Sequence, residues 1–237
     1  MHALDRPVWA SLASFHDTLS LGDGLARRFA RDVNLFASAR DDSPAALAAL
    51  AELVGPNEQV YVLQVPDIVT PPGCVVAKAA RGVQMVATRS LRDETELDGI
   101  HELREADAPE MLALARLTEP GPFLERTHTM GRFLGVRIDG RLAAMAGERM
   151  RFPGHVEVSG VCTHPDFRGR GLARRLSAAV AARIESQGER PFLHAWRSNQ
   201  AAIALYESLG FELRTEVNVA VLQRASGVPP ASSPDRR

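Results

Sequence analysis

The stretch Val161-Cys162-Thr163-His164-Pro165-Asp166-Phe167-Arg168-Gly169-Arg170-Gly171-Leu172-Ala173 constrains this chain more than any other, because an apolar strand there must pass through two closely spaced glycines straight into a helix. Such a junction leaves backbone N–H groups unpaired at the helix N-terminus, where they attract an anion. Glycine lets that backbone approach a ligand closely, and Arg168 and Arg170 bring positive charge suited to a pyrophosphate or a 3′-phosphate. The dinucleotide fingerprint is not met, because Arg174 stands where its third glycine or alanine belongs, and no Gly-Lys-Ser/Thr phosphate loop occurs. Alone, the segment fits a solvated, Arg-rich helix start equally well, so its meaning rests on what accompanies it.

The rest of the chain reads as strands and helices in alternation. Ser43-Pro44 opens an Ala/Leu-rich helix that runs to about Val54 and stops at Gly55-Pro56. Residues 60–65, 74–79 and 83–88 read as short strands bounded by Pro or Gly. The polar run 90–96 has no period and is placed as a linker, dividing a divergent N-terminal α/β unit (1–96) from a second domain (97–224). In that domain Asp107 caps a helix to about Leu117, and Thr118-Glu119-Pro120-Gly121-Pro122 must turn. Asp139-Gly140 joins two strands in a tight hairpin, and Phe152-Pro153-Gly154 turns into a strand over 155–163. A helix over 169–187 puts Leu172, Leu176, Ala179, Val180 and Ile184 on one face. A strand over 192–196, a helix over 199–209 and a terminal hairpin within 211–224 complete the pattern, and the Pro- and Ser-rich tail 225–237 is expected to be mobile.

The second informative cluster is Asn199-Gln200-Ala201-Ala202-Ile203-Ala204-Leu205-Tyr206-Glu207-Ser208-Leu209-Gly210-Phe211. Together the two segments resemble the GNAT superfamily of N-acyltransferases, whose acyl-CoA motif runs Arg or Gln, two residues, Gly, one residue, then Gly or Ala. Arg168, Gly171 and Ala173 fit it. The second motif of the superfamily, an Asn opening a helix that ends in Tyr and then Gly-Phe, is met by Asn199, Tyr206, Gly210 and Phe211. Within the superfamily, 161–166 and Phe192-Leu193-His194 look most like the branch that includes glycine N-acyltransferase-like proteins. The resemblance covers 97–224 and implies an α/β (α+β) GNAT fold, a central mixed, mostly antiparallel sheet flanked by helices. The smaller N-terminal domain could be a degenerate GNAT-like half.

The implied activity is transfer of an acyl group, acetyl above all, from acyl-CoA to a primary amine of a small molecule or amino acid by direct attack on the thioester. That chemistry requires a neutral amine, stabilisation of developing oxyanion charge, and a proton for the departing thiolate. Glu157 stands eleven residues before Arg168, an offset at which GNAT enzymes often carry a Glu, and is the expected base, directly or through water. Its bland rival is an exposed polar residue on an alternating strand. Tyr206 is the expected general acid. The backbone of Val161, Cys162 and Thr163 is expected to pair with the pantetheine arm of acetyl-CoA like an added strand, with the Val161 N–H as oxyanion donor. Arg168, Gly169, Arg170, Gly171, Leu172 and Ala173 are expected at the phosphates, and Asn199, Ala202 and Tyr206 along the pantetheine. Without a bulge, alternation places Glu157, Ser159, Val161 and Thr163 on one face and Val158, Gly160 and Cys162 on the other. Phe123 and His128 fall where the superfamily builds its acceptor pocket. Ser159 lacks a nucleophile elbow, and His164 and His194 read as structural residues at strand ends.

Composition removes other classes. The 28 basic and 29 acidic side chains nearly cancel, which disfavours a nucleic-acid binder despite the local cluster of Arg168, Arg170, Arg174 and Arg175. No run of about 18 apolar residues suggests a membrane span, the N-terminus lacks signal-peptide character, and Cys74 and Cys162 have no metal-ligand spacing. A cytoplasmic protein without metal is expected, and a homodimer is left open. Two alternatives stand beside the small-amine reading: a protein or peptide acceptor, at an N-terminus or lysine, and a CoA-binding sensor without turnover. Gly22-Asp23-Gly24-Leu25-Ala26-Arg27-Arg28 echoes 169–175, yet Asp23 would repel phosphate and no apolar strand precedes Gly22, so coincidence is the better account.

Overall fold

The structure, a computed structural model, describes residues 2–91 and 98–225. Most of the linker expected at 90–96 and of the tail expected after 224 therefore lies outside the described residues.

Pro7 opens α1 (Pro7–Leu12), where its missing N–H costs nothing, and Val8 and Leu12 are fully buried beneath it. The strands β1 (Ser20–Gly22), β2 (Ala26–Phe29) and β3 (Ala37–Ala39) make a small antiparallel sheet. The echo at 22–28 is thus a hairpin, not a loop entering a helix. Ser43 caps α2 (Pro44–Glu52) through the Ala46 N–H at 3.3 Å, as its spacing predicts. After β4 (Gln59–Gln64) comes β5 (Cys74–Ala87), one long strand where two were expected. Gly82 does not break it. A Cβ there would come within 3.0 Å of the Ala195 carbonyl oxygen, so this glycine marks a close approach of neighbouring backbones rather than a turn.

The second half begins with β6 (Ile100–Leu103) and α3 (Ala108–Thr118), which ends on left-handed Glu119. Asp139 (φ 50°) and Gly140 (φ 77°) form the expected tight turn between β7 (Phe133–Ile138) and β8 (Arg141–Phe152). β9 (His155–Thr163) follows, then α4 (Leu172–Ser186), whose first helical residue lies three positions later than expected because Gly169 and Gly171 are left-handed. β10 (Arg190–Trp196) leads to α5 (Gln200–Ser208), capped by the Asn199 side chain on the Ala202 N–H at 3.1 Å. β11 (Phe211–Arg224) is a single strand instead of the expected hairpin, since the register irregularity beside Arg214 is absorbed without a reversal.

Eight strands share one sheet in the order β4-β11-β5-β10-β9-β8-β7-β6. Every pairing in it is antiparallel except β9 with β10. β11 pairs only with β4 and β5 among the described residues, so the division expected at 96/97 falls inside one sheet. The apolar faces of α4 and α5 pack on one side against Val156, Val158, Leu193 and Phe211. On the other side α1 meets Met150, Phe152 and Phe192, α2 meets Val60 and Leu222, and α3 meets Met145 and Cys162. Among the described residues no helix is long and apolar enough to cross a membrane.

Candidate active site

The parallel pairing of β9 with β10 covers only three residues on each strand, His155 to Glu157 against Arg190 to Phe192. Beyond them the strands part. A cavity of about 800 Å3 opens there, lined by Val158 to Thr163 on one flank, His194 to Trp196 on the other, the loop 168–174, and Asn199, Ala202 and Tyr206 from the α5 segment. The expected cofactor residues Val161, Cys162, Thr163, Arg168, Gly169, Arg170, Gly171, Leu172, Ala173, Asn199, Ala202 and Tyr206 all line this one cleft.

Inside β9 the expected alternation is corrected by a bulge. Cys162 pairs with Met145 and Ser159 with Gly147, so Gly160 and Val161 together stand opposite Ala146. Gly160 adopts φ 62°, which a side chain resists. The extra residue shifts the phase: Val161 packs against the same cluster as Val156 and Val158, whereas Cys162 joins Met111, Phe133 and Met145 on the opposite face. Burial pushes the Cys162 thiol up to about 11, so it is inert as a nucleophile.

Gly169 (φ 76°) and Gly171 (φ 72°) curl the loop into the N-terminus of α4, where open backbone N–H groups and the helix dipole favour an anion. Nothing lies within 4 Å of a Cβ built on either glycine, so backbone conformation rather than crowding selects them. Arg170 rests its guanidinium 5.4 Å from the Phe167 ring centroid, which holds one of the two expected cations beside the loop. These features fit the phosphates of a CoA-type ligand.

Tyr206 is nine-tenths buried, and burial together with the Glu157 charge pushes its hydroxyl up to about 12. It therefore keeps its proton at any ordinary pH. Glu157 has no exposed surface and does not line the cleft. Burial alone would raise its pKa, but the adjacent Arg149 guanidinium, with help from His194, holds it down to about 2. Arg149 donates Nε to Oε2 at 2.8 Å and Nη2 to Oε1 at 2.6 Å, His194 Nδ1 lies 2.7 Å from Oε1, and the Met150 N–H reaches Oε2 at 3.3 Å. With both oxygens committed, the carboxylate that the sequence offers as base stands here as the anchor of an ion pair. Gln84 accepts from Arg214 on Oε1 and turns its amide nitrogen to His194 Nε2 at 3.0 Å. The imidazole must then accept on Nε2 and donate from Nδ1 to Glu157, a tautomer assigned from the network.

The far end of the cleft is walled by Phe36, Tyr61 and Leu63 from the N-terminal half, Val217 and Val219 from β11, and the 118–122 turn. Arg149 lies over the Phe36 ring at 4.9 Å. The expected acceptor residues are not brought into this chamber. Phe123 packs edge-on against Phe133 and lines a small adjoining recess, while His128 bonds Glu105 at 2.7 Å beside a separate depression. Sequence reasoning missed Arg149 and set His194 aside as structural. The run Glu148-Arg149-Met150-Arg151, charge following an apolar run in the same strand, was the available signal for the first, whereas nothing local marked Phe36 or Tyr61.

A split sheet, an anion cradle at a helix start and a buried tyrosine along one cleft define a protein built to hold a long phosphorylated ligand. The FR47-like protein family matches residues 133–220. A ribosomal protein bS18 alanine N-acetyltransferase of Salmonella typhimurium is 32% identical over 119 residues, 48% of this chain and 80% of the relative. A GNAT-family protein of Novosphingobium aromaticivorans, named as an acetyltransferase, superposes with a TM-score of 0.89 at 46% identity, covering 95% of this chain and 100% of its own. A GCN5-related N-acetyltransferase of Kribbella flavida shares the fold at a TM-score of 0.62 and 18% identity, over 96% of this chain and 97% of its own. The chain belongs to the GNAT family of N-acetyltransferases.

Proposed function

We propose that this enzyme transfers an acetyl group from acetyl-CoA to the primary amine of a small molecule. One observation carries the reading: a single cavity of about 800 Å3 is lined both by the glycine cradle at 168–174 and by Phe36, Tyr61 and Leu63. Those three walls come from outside the family-matched residues 133–220 and, with Arg149 and His194, give a partly open space of mixed polarity that suits a compact amine. Acetyl-CoA supplies a thioester carbonyl activated for attack. Arg168, Arg170 and the backbone of 169–173 hold its phosphates, and the bulged Val161 backbone faces the acyl end.

Tyr206 keeps the proton that the leaving thiolate needs. Glu157 positions Arg149 and His194, and the amine loses its proton to water before it attacks.

A protein acceptor is the second reading, favoured by the relatives named for ribosomal protein bS18. Their match spans 48% of this chain in one case and 50% in the other, so about half of the chain has no counterpart in it. Thiol release from acetyl-CoA across amino acids, polyamines and peptides with N-terminal alanine separates the two. Small amines are expected to turn over at least about tenfold better than any peptide, a difference of roughly 1.4 kcal/mol. An alanine-initiated peptide as the best substrate would select the second reading, and CoA binding without thiol release would select the sensor.

A further inference from the structure

A second cavity of about 800 Å3 lies between the C-terminal end of α4, the loop after α1 and the loop before β7, and it shares no lining residue with the cofactor cleft. Glu148 sits in its wall with only 5% of its surface exposed. Its Oε2 takes the Arg132 backbone N–H at 3.5 Å, while its Oε1 is buried without a hydrogen bond among the described residues. The facing cation, Arg183 Nε, is 4.0 Å away, too far for a direct bond. Arg151 lines the same cavity with its Nε buried and unpartnered and its guanidinium over the half-exposed Phe15 ring at 4.9 Å.

The other arginine contacts are loose. Arg151 reaches Glu189 at 3.7 Å, and Arg132 and Arg183 share Glu102 at 3.6 and 3.4 Å. Direct guanidinium–carboxylate bonds are about 2.7 to 2.9 Å. A buried acceptor without a donor and a buried donor without an acceptor, both lining one polar space, is an arrangement that folded proteins rarely leave uncompensated. One water could serve Glu148, but it would not use three guanidinium groups around a space of this size.

We propose that this cavity binds a small carboxylate carrying a neighbouring hydroxyl or ammonium group. The carboxylate lies among Arg132, Arg151 and Arg183, and the neighbouring donor bonds Glu148 Oε1. The site is independent of the acetyl acceptor and stands whichever acceptor is found.

Calorimetry on the full chain, saturated with CoA so that the cofactor cleft is filled, tests it with matched probes. Malate is set against succinate, and glutamate against glutarate, so that each pair differs only in the donor group. One molecule of malate or glutamate per chain is expected, bound about tenfold or more tightly than its partner, the range of one charge-assisted hydrogen bond. Glu148→Met is expected to erase that preference while leaving weak carboxylate binding. Arg183→Met is expected to weaken all four probes at least about tenfold with acetyl transfer retained. No binding of any probe, equal binding within each pair, or binding unchanged in both variants overturns the proposal.

Discussion

At the scale of single residues, Tyr206 and Glu157 exchange the prominence that spacing gave them. The tyrosine is protected from ionisation by burial, so Tyr206→Phe is expected to lower kcat by about 10²- to 10⁴-fold with little change in the KM for acetyl-CoA. Steady-state kinetics on whichever acceptor the thiol-release panel selects checks this, and an unchanged kcat removes Tyr206 as the acid. Glu157 is a buried charge whose lowered pKa depends on Arg149. A group held below its unfolded value contributes stability that is complete above that value and is lost as pH falls toward about 2. Arg149→Met leaves this charge without its main partner and is expected to cost about 3 to 5 kcal/mol in urea unfolding. The Arg149→Met/Glu157→Gln double variant should recover much of the loss. Strict additivity of the two substitutions would show that the pair is not coupled.

Elements were legible where a local rule decides them. The helix starts at Ser43 and Asn199 and the Asp139-Gly140 turn each involve residues a few positions apart and stand where expected, whereas Asp107, the expected cap of α3, precedes that helix without capping it, its Oδ2 accepting the Arg104 N–H at 2.8 Å instead. The bulge in β9 was not legible, because it exists only relative to the register of β8, and a strand read alone shows no partner. The same reason hides the union of 74–79 with 83–88 and the single run of β11, which depend on neighbours far along the chain. Gly160 is the residue that makes the bulge tolerable. Gly160→Ala forces a side chain onto φ 62° and within 2.9 Å of the Phe133 ring, at an expected cost of about 1 to 3 kcal/mol. Because the bulge aims Val161 into the cleft, the KM for acetyl-CoA is expected to rise along with the loss in Tm. A variant with lowered Tm and unaltered KM would detach the bulge from cofactor placement.

The molecule as a whole depends on its N-terminal half for the C-terminal motif. Since β11 has no strand neighbours beyond β4 and β5 among the described residues, a chain starting at residue 98 is expected to be insoluble or unfolded by circular dichroism. A soluble, CoA-binding fragment of that length would contradict it. The chamber proposed for the acceptor was invisible in the sequence for a related reason: Phe36, Tyr61 and Arg149 come from segments far apart in the chain that line one cavity. The parting of β9 from β10 reaches further still. A sheet interrupted near its middle is a seam, and a ligand laid along it acts as a rivet between the two flanks. At a hundredfold excess over its Kd, CoA would add about 2.7 kcal/mol to the folded state, read as a Tm that climbs with its concentration and as slowed amide exchange over 158–163. A Tm indifferent to CoA would show that the seam holds by itself. Otherwise the lifetime of the protein in a cell would rise and fall with the supply of CoA and its thioesters.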